Sequence, residues 1–121
     1  MVLRRRRSDR GQVAVEYIGM LPILILVGLA LIQFGLAAYT IQQAGTASRA
    51  AARMASHDRP EMPPAQAGRE AMSDWLADGA RFRQWAGAHD EVKVTATVRI
   101  PSIIPGVSFG DTERTTTMPR D

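Results

Sequence analysis

The sequence contains no cysteine, which removes disulfides and thiolate chemistry and leaves no redox mark of the compartment. Histidine is nearly as scarce: His57 and His89 are the only two, far apart and without partners at metal-ligand spacing, so both read as exposed loop residues. Asp90 and Glu91 are adjacent and point apart at a strand entrance, which gives paired-carboxylate catalysis no support. A glycine-rich phosphate loop, a serine elbow and a cysteine–histidine nucleophile pair are all missing. An enzyme is therefore not expected, nor is a cofactor or a bound metal. The most informative absence is of charge: from Tyr17 to Ser48 no residue carries one.

The apolar part of that gap lies within GQVAVEYIGMLPILILVGLALIQFGLAAY, Gly11 to Tyr39. A hydrocarbon core of roughly 30 Å needs about 20 helical residues, so the run is long enough to cross a membrane. A removable secretory signal has an apolar region of only about 7–15 residues. Leu36, Ala37 and Ala38 imitate a signal-peptidase site, but a cut there discards the span and leaves a new end inside an alanine-rich helical pattern. Pro22 lacks the N–H that would bond the carbonyl of Ile18, and a kink is expected there. Gly28 and Gly35 are seven apart on one face, near Gln33. Small residues let a second helix approach closely in lipid, although glycine is also a common constituent of membrane helices.

The formal charge of +3 belongs to the first residues. Arg4 to Arg7 and Arg10 face only Asp9, and setting residues 1–11 aside removes five arginines and one aspartate, leaving ten basic and eleven acidic side chains. A nucleic-acid surface is thus not implied for the rest. A basic, aperiodic segment directly before a span reads as flexible and cytoplasmic by the positive-inside rule, which puts the C-terminal part outside. A single pass through the cytoplasmic (inner) membrane follows, with lipid as one partner. Glu16, at the mouth of the span, is a functional hypothesis by default because carboxylates there are costly unless wet or paired. Water or Arg10 is the simpler partner for it.

Beyond Tyr39 the chain is alanine-rich and has no strong breaker before Pro60, so the helix continues out of the membrane; from Val13 to Ser56 it would measure about 65 Å. Ala44, Ala47, Ala51 and Ala55 recur at helical spacing and form a narrow face suited to close helix packing. Arg49 and Arg53 lie on another, solvated face. The prolines of HDRPEMPP break the helix. A second helix is expected over about Ala65 to Phe82, with Met72, Trp75, Leu76 and Ala80 covering a sheet. Trp75 and Trp85 read as core residues or amphipathic anchors, not ligand platforms.

Glu91 to Pro101 alternates Val92, Val94, Ala96, Val98 and Ile100 against Lys93, Thr95, Thr97 and Arg99, a half-buried strand. After the turn-rich SIIPG, a second strand lies within Val107 to Met118. The expected class is α+β: a long transmembrane helix extending out of the membrane, then a small helix with an antiparallel hairpin. The expected divisions are a basic leader at 1–11, the span and its extension at 12–56, a proline-rich linker at 57–64 and a small outer domain at 65–121.

A basic segment ending at Gly11, followed by Gln12, Val13, Ala14, Val15, Glu16 and Tyr17 and then at once by the span, resembles the cleavage region of type IV prepilins. Carried over, Gly11 is the last residue removed, Gln12 the new N-terminus and Glu16 the fifth mature residue. The Glu16–Tyr17 pair, Pro22, and Ile32 to Gly35 leading into an alanine- and arginine-rich helix look like the TadE-like proteins of tight-adherence (Tad/Flp) pilus systems. That resemblance covers residues 4–56 and reaches the remainder only in outline. It implies a minor pilin or pseudopilin, cut by a prepilin peptidase, engaged with other pilin or pseudopilin subunits and the pilus assembly platform, and serving an adhesive or secretion-type fibre. Within it, Glu16 pairs charge with a mature N-terminus; helix packing by Gly28, Gly35, Ala44 and Ala51 is expected from the spacing of these small residues. The main fibre subunit of such systems resembles a bare helix with little after it, which this chain does not. The alternative from another class is an uncleaved, signal-anchored protein whose outer domain binds an envelope or secreted partner.

Overall fold

The computed structural model describes the backbone of residues 2–120 and the side chains of residues 11–120. The side chains of the basic leader, Arg4 to Arg7 and Arg10, lie outside the described residues. Helix α1 runs Val2–Ala55, without interruption at Pro22. It begins at Val2 rather than after a flexible leader, in keeping with the good helix propensity of arginine. Two short helices follow, α2 over Pro64–Glu70 and α3 over Asp74–Ala77, and then three strands: β1 over Arg81–Ala86, β2 over Glu91–Arg99 and β3 over Asp111–Pro119. The class is α+β. A boundary between Phe34 and Gly35 divides the chain into two compact units.

The first unit consists of helix α1 up to that boundary. The second takes in the remainder of α1, both short helices and the sheet. Its strands lie in the order β1-β2-β3, antiparallel throughout. The central strand is the one whose alternation is cleanest in the sequence. Val92, Val94, Ala96 and Val98 of β2 are buried, and they meet Ala44, Ala47, Ala51, Ala52 and Ala55 of α1. Alanine keeps the helix backbone close to the sheet, and the branched valines fill the space that its short side chain leaves. Each fully buried valine contributes on the order of 1.5–3 kcal/mol. Phe82 of β1 is only half-buried, yet it packs against both clusters that make up this core.

The expected second helix differs from the structure. It ends at Glu70, restarts at Asp74 and gives way to strand β1 at Arg81. Ser73 followed by Asp74 is a helix-start signal inside what periodicity alone reads as one helix, since serine suits the cap and aspartate the first turn. Met72, Leu76 and Ala80 enter the core as expected, but Trp75 does not and is 53% exposed. The sheet has a third strand because Arg81, Phe82 and Arg83 alternate out, in and out. Phe82 pairs with Ala96 on β2 and reaches the core from there. The last strand begins only at Asp111, after Gly110.

Both connections between strands have a local cause. His89 and Asp90 have φ of 53° and 61°, the left-handed pair that a tight hairpin turn requires, and both residue types are enriched in that region. This is the structural use of His89. Farther on, Val107 N–H donates to the Ile104 carbonyl at 3.2 Å around Pro105 and Gly106, whose φ is 77°. That is a type II turn, with proline and glycine at the positions that favour them.

Among the described residues, no buried side-chain nitrogen or oxygen lacks a hydrogen-bond partner. Ser48 Oγ lies 2.7 Å from Thr116 Oγ1, which ties α1 to strand β3. Thr95 and Thr115 are joined by a 2.7 Å bond on the outer face of the sheet.

Two glycines of this unit should respond oppositely to alanine. A methyl group built on Gly68 falls 2.3 Å from the Phe82 ring, whereas one on Gly45 finds nothing nearer than 3.7 Å. Moving the ring out of its place between the two clusters costs about 1–3 kcal/mol, more than the roughly 1 kcal/mol that alanine adds in a helix. Gly68→Ala should therefore lower the thermal midpoint of the detergent-solubilised chain, read by circular dichroism, while Gly45→Ala should hold or raise it.

Candidate functional site

In the first unit, Gly11, Gln12, Val15 and Glu16 line one shallow depression on the surface of α1. Helical spacing explains the grouping, since residues three and four apart share a face. Gln12 and Glu16 are thus one turn apart, both exposed. The following turns expose Ile18, Leu24, Leu26 and Leu31, each more than half open. A continuous apolar surface of that length is not left to water by a soluble monomer. The described part of α1 is long and apolar enough to cross a membrane.

Gly28 and Gly35 have no atom of the fold within 4 Å of where a side chain would begin. Their missing side chains serve nothing inside the monomer. Ala44 and Ala51 have the opposite environment, fully buried against the sheet. The close approach that small residues permit is used here between a helix and its own sheet, and that alanine face is not open to another helix. The sequence pattern marks a narrow face of small residues and carries no information about what fills it; here the sheet does.

A second cluster was not foreseen. Tyr39, four residues into the second unit, stacks on Trp75 of α3, with ring centroids 5.9 Å apart and planes 11° from parallel. The Tyr39 hydroxyl also bonds Ser73 Oγ, and Ser73 N–H donates to Gln43 Oε1 at 2.9 Å. Ser73 makes no side-chain cap to α3, because its hydroxyl is directed to the tyrosine. Tyr39 and Gln43 are one helical turn apart, which is the signal that was available: both project from α1 on the side where α3 begins.

The outer face of the sheet holds a shallow depression whose lining includes Arg81, Arg83, Trp85, Thr97 and Glu113. At its rim Arg81 pairs with Asp111 at 3.0 Å, with the arginine side chain 74% exposed, so the pair contributes little to stability. Arg69 lies over the Phe82 ring at 5.5 Å and donates to the Ala80 carbonyl at 3.3 Å. Among the described residues, no group of three or more histidine, cysteine, aspartate or glutamate side chains is placed to hold a metal ion.

Residues 11–53 match the family model of TadE-like proteins, a little over a third of the chain. Over that segment the chain is similar to TadE-like proteins, and the match takes in Gly11, Gln12, Glu16, the apolar run and most of the alanine face. No curated protein and no solved structure gives a match.

Because Gly28 and Gly35 face open space, leucine at both positions should leave the thermal midpoint of the sheet unit unchanged. The same double substitution should weaken association between tagged copies by several-fold at about 1 kcal/mol of lost helix contact. Energy transfer between labelled subunits in vesicles measures it.

Proposed function

We propose that this chain is a minor pilin or pseudopilin of a Tad/Flp-type pilus. In this reading a membrane prepilin peptidase removes residues 1–11, and the mature chain lies across the cytoplasmic membrane with its sheet outside. From there it joins other pilin or pseudopilin subunits at the assembly platform and helps to build an adhesive or secretion-type fibre. Its work is assembly and not catalysis. The observation that carries the reading is the position of Gly11 and Glu16, five residues apart on one helix at the edge of an uncovered apolar run, within a segment that matches TadE-like proteins from residue 11 onward.

The chemistry follows from the cut. Hydrolysis after Gly11 turns the Gln12 nitrogen from a neutral amide into a free ammonium at the start of a helix. That end of the helix already carries the positive pole of the macrodipole, so it favours a nearby carboxylate. Glu16, one turn on in the same or a neighbouring subunit, supplies one. In the low dielectric of the membrane edge, a mismatch leaves a charge unpaired, and breaking a buried pair costs about 3–5 kcal/mol. Glu16 therefore sets the axial position at which one subunit fits against the next. The uncovered Gly28 and Gly35 provide a face along which the helices meet once the register is set.

The sheet distinguishes this chain from a bare-helix fibre subunit. A folded body beyond the helix suits a minor, tip or priming position, where each copy caps or starts a stack.

Mass spectrometry of the membrane-extracted protein, with the peptidase present and absent, tests the cut. Mature chain beginning at Gln12 is expected only with the peptidase present, and Gly11→Val should retain the leader; an intact Met1 end in both cases would favour the uncleaved signal-anchored alternative. Glu16→Gln should be cut normally but enter fibres on the order of a hundredfold less well, given the cost of an unpaired charge. Immunoblotting of sheared fibres against membranes measures the second effect, and unchanged incorporation would remove the register role.

A further inference from the structure

We propose that the stacked pair Tyr39–Trp75 is an interfacial anchor that seats the outer sheet unit in the headgroup layer of the membrane. The proposal rests on the reading of α1 as a membrane span. Its occupant is the hydrated lipid interface, not another protein.

Two observations converge on it. The first is position. Tyr17 and Tyr39 are the chain's only tyrosines, and they bracket the apolar run about 22 positions apart, about 33 Å at helical rise. That matches a hydrocarbon core of roughly 30 Å, and tyrosine and tryptophan are the residues that concentrate at its two boundaries. Tyr39 stands where the run gives way to Gln42 and Gln43.

The second is the way the fold brings a tryptophan to that same level. Trp75 is far from Tyr39 in sequence, yet α3 is fastened to this turn of α1 by three contacts: the ring stack, the Tyr39–Ser73 hydroxyl bond and the Ser73–Gln43 bond. Despite that fixing, Trp75 is 53% and Tyr39 38% exposed. Leu76, the next residue after Trp75, is buried in the core. The indole stacks on Tyr39 yet stays more than half exposed, beside the last turn of the apolar run. Such a ring presents an apolar body to acyl chains and an N–H to carbonyls and water, a combination suited to the interface. Asp74, next to it, keeps its hydration because the headgroup layer is wet.

The consequence is that the outer unit is not held at a distance from the membrane. Its α3 end touches lipid.

The test uses the full chain reconstituted in phosphatidylcholine vesicles carrying a nitroxide either at the headgroup or near the acyl-chain end. The chain has two tryptophans, so Trp85→Phe leaves Trp75 as the sole reporter, and Trp75→Phe leaves Trp85. Circular dichroism confirms that both variants keep the fold. Headgroup nitroxide should quench Trp75 at least about threefold more than Trp85, and more than the acyl-end nitroxide does, as an interfacial indole requires. Stable flotation with vesicles but equal quenching of the two tryptophans would overturn the anchor while leaving the span intact. Trp75 shielded from aqueous iodide yet unquenched by lipid would overturn it in favour of a neighbouring subunit. Stronger quenching from the acyl end would place the ring in hydrocarbon and overturn it too. Failure to float with vesicles after alkaline washing would overturn both the span and the anchor.

Discussion

The second unit depends on one contact, that of the alanine face of α1 with the valine face of β2. Neither partner is sufficient alone. A three-stranded sheet with one exposed polar face has only its other face to bury, and that face needs a partner to be taken out of water. The cover must come close, because Ala96 and the valines are small and leave no room for a gap. The alanines at 44, 47, 51, 52 and 55 bring the helix backbone near enough to touch them all. Met72, Leu76 and Ala80 close one end of the resulting core, and Met118 the other. The short helices and the edge strands are arranged around this contact.

The same helix therefore has two different surroundings. Before Phe34 its large apolar side chains point outward, uncovered by the fold. Past Gly35 its small side chains point at protein. The change is written in residue size as well as polarity: leucine and isoleucine give way to alanine, serine and threonine. The hydroxyls of Thr40 and Ser48 bond back to the Leu36 and Gly45 carbonyls, and Ser48 also reaches β3. Polar groups inside the contact are thus satisfied locally, which lets them be buried at little cost.

Much of this was legible in the residues. The long apolar helix, the strand at Glu91 to Arg99, the α+β class and the break at the prolines follow from long, strongly periodic or strongly punctuated stretches. The third strand did not emerge because Arg81 to Ala86 offers only one inward apolar side chain, Phe82, to mark its alternation; Met72, Trp75, Leu76 and Ala80 extend the helical period almost to it. The alanine face could be recognised as a packing surface, but small side chains fit helices and sheets equally well, so its partner had to come from the fold. The prepilin-like features at Gly11, Gln12 and Glu16 are wholly local and were readable as a motif. The Tyr39–Trp75 stack was not, since its two rings are brought together only when α3 docks.

Placing one wall of the core on α1 has a consequence for biogenesis. A fragment that starts at the proline-rich segment carries all three strands but leaves the valines of β2 facing water. The sheet therefore cannot finish folding before the end of α1 is in place, and any species in which the two are kept apart shows its valines to proteases and chaperones.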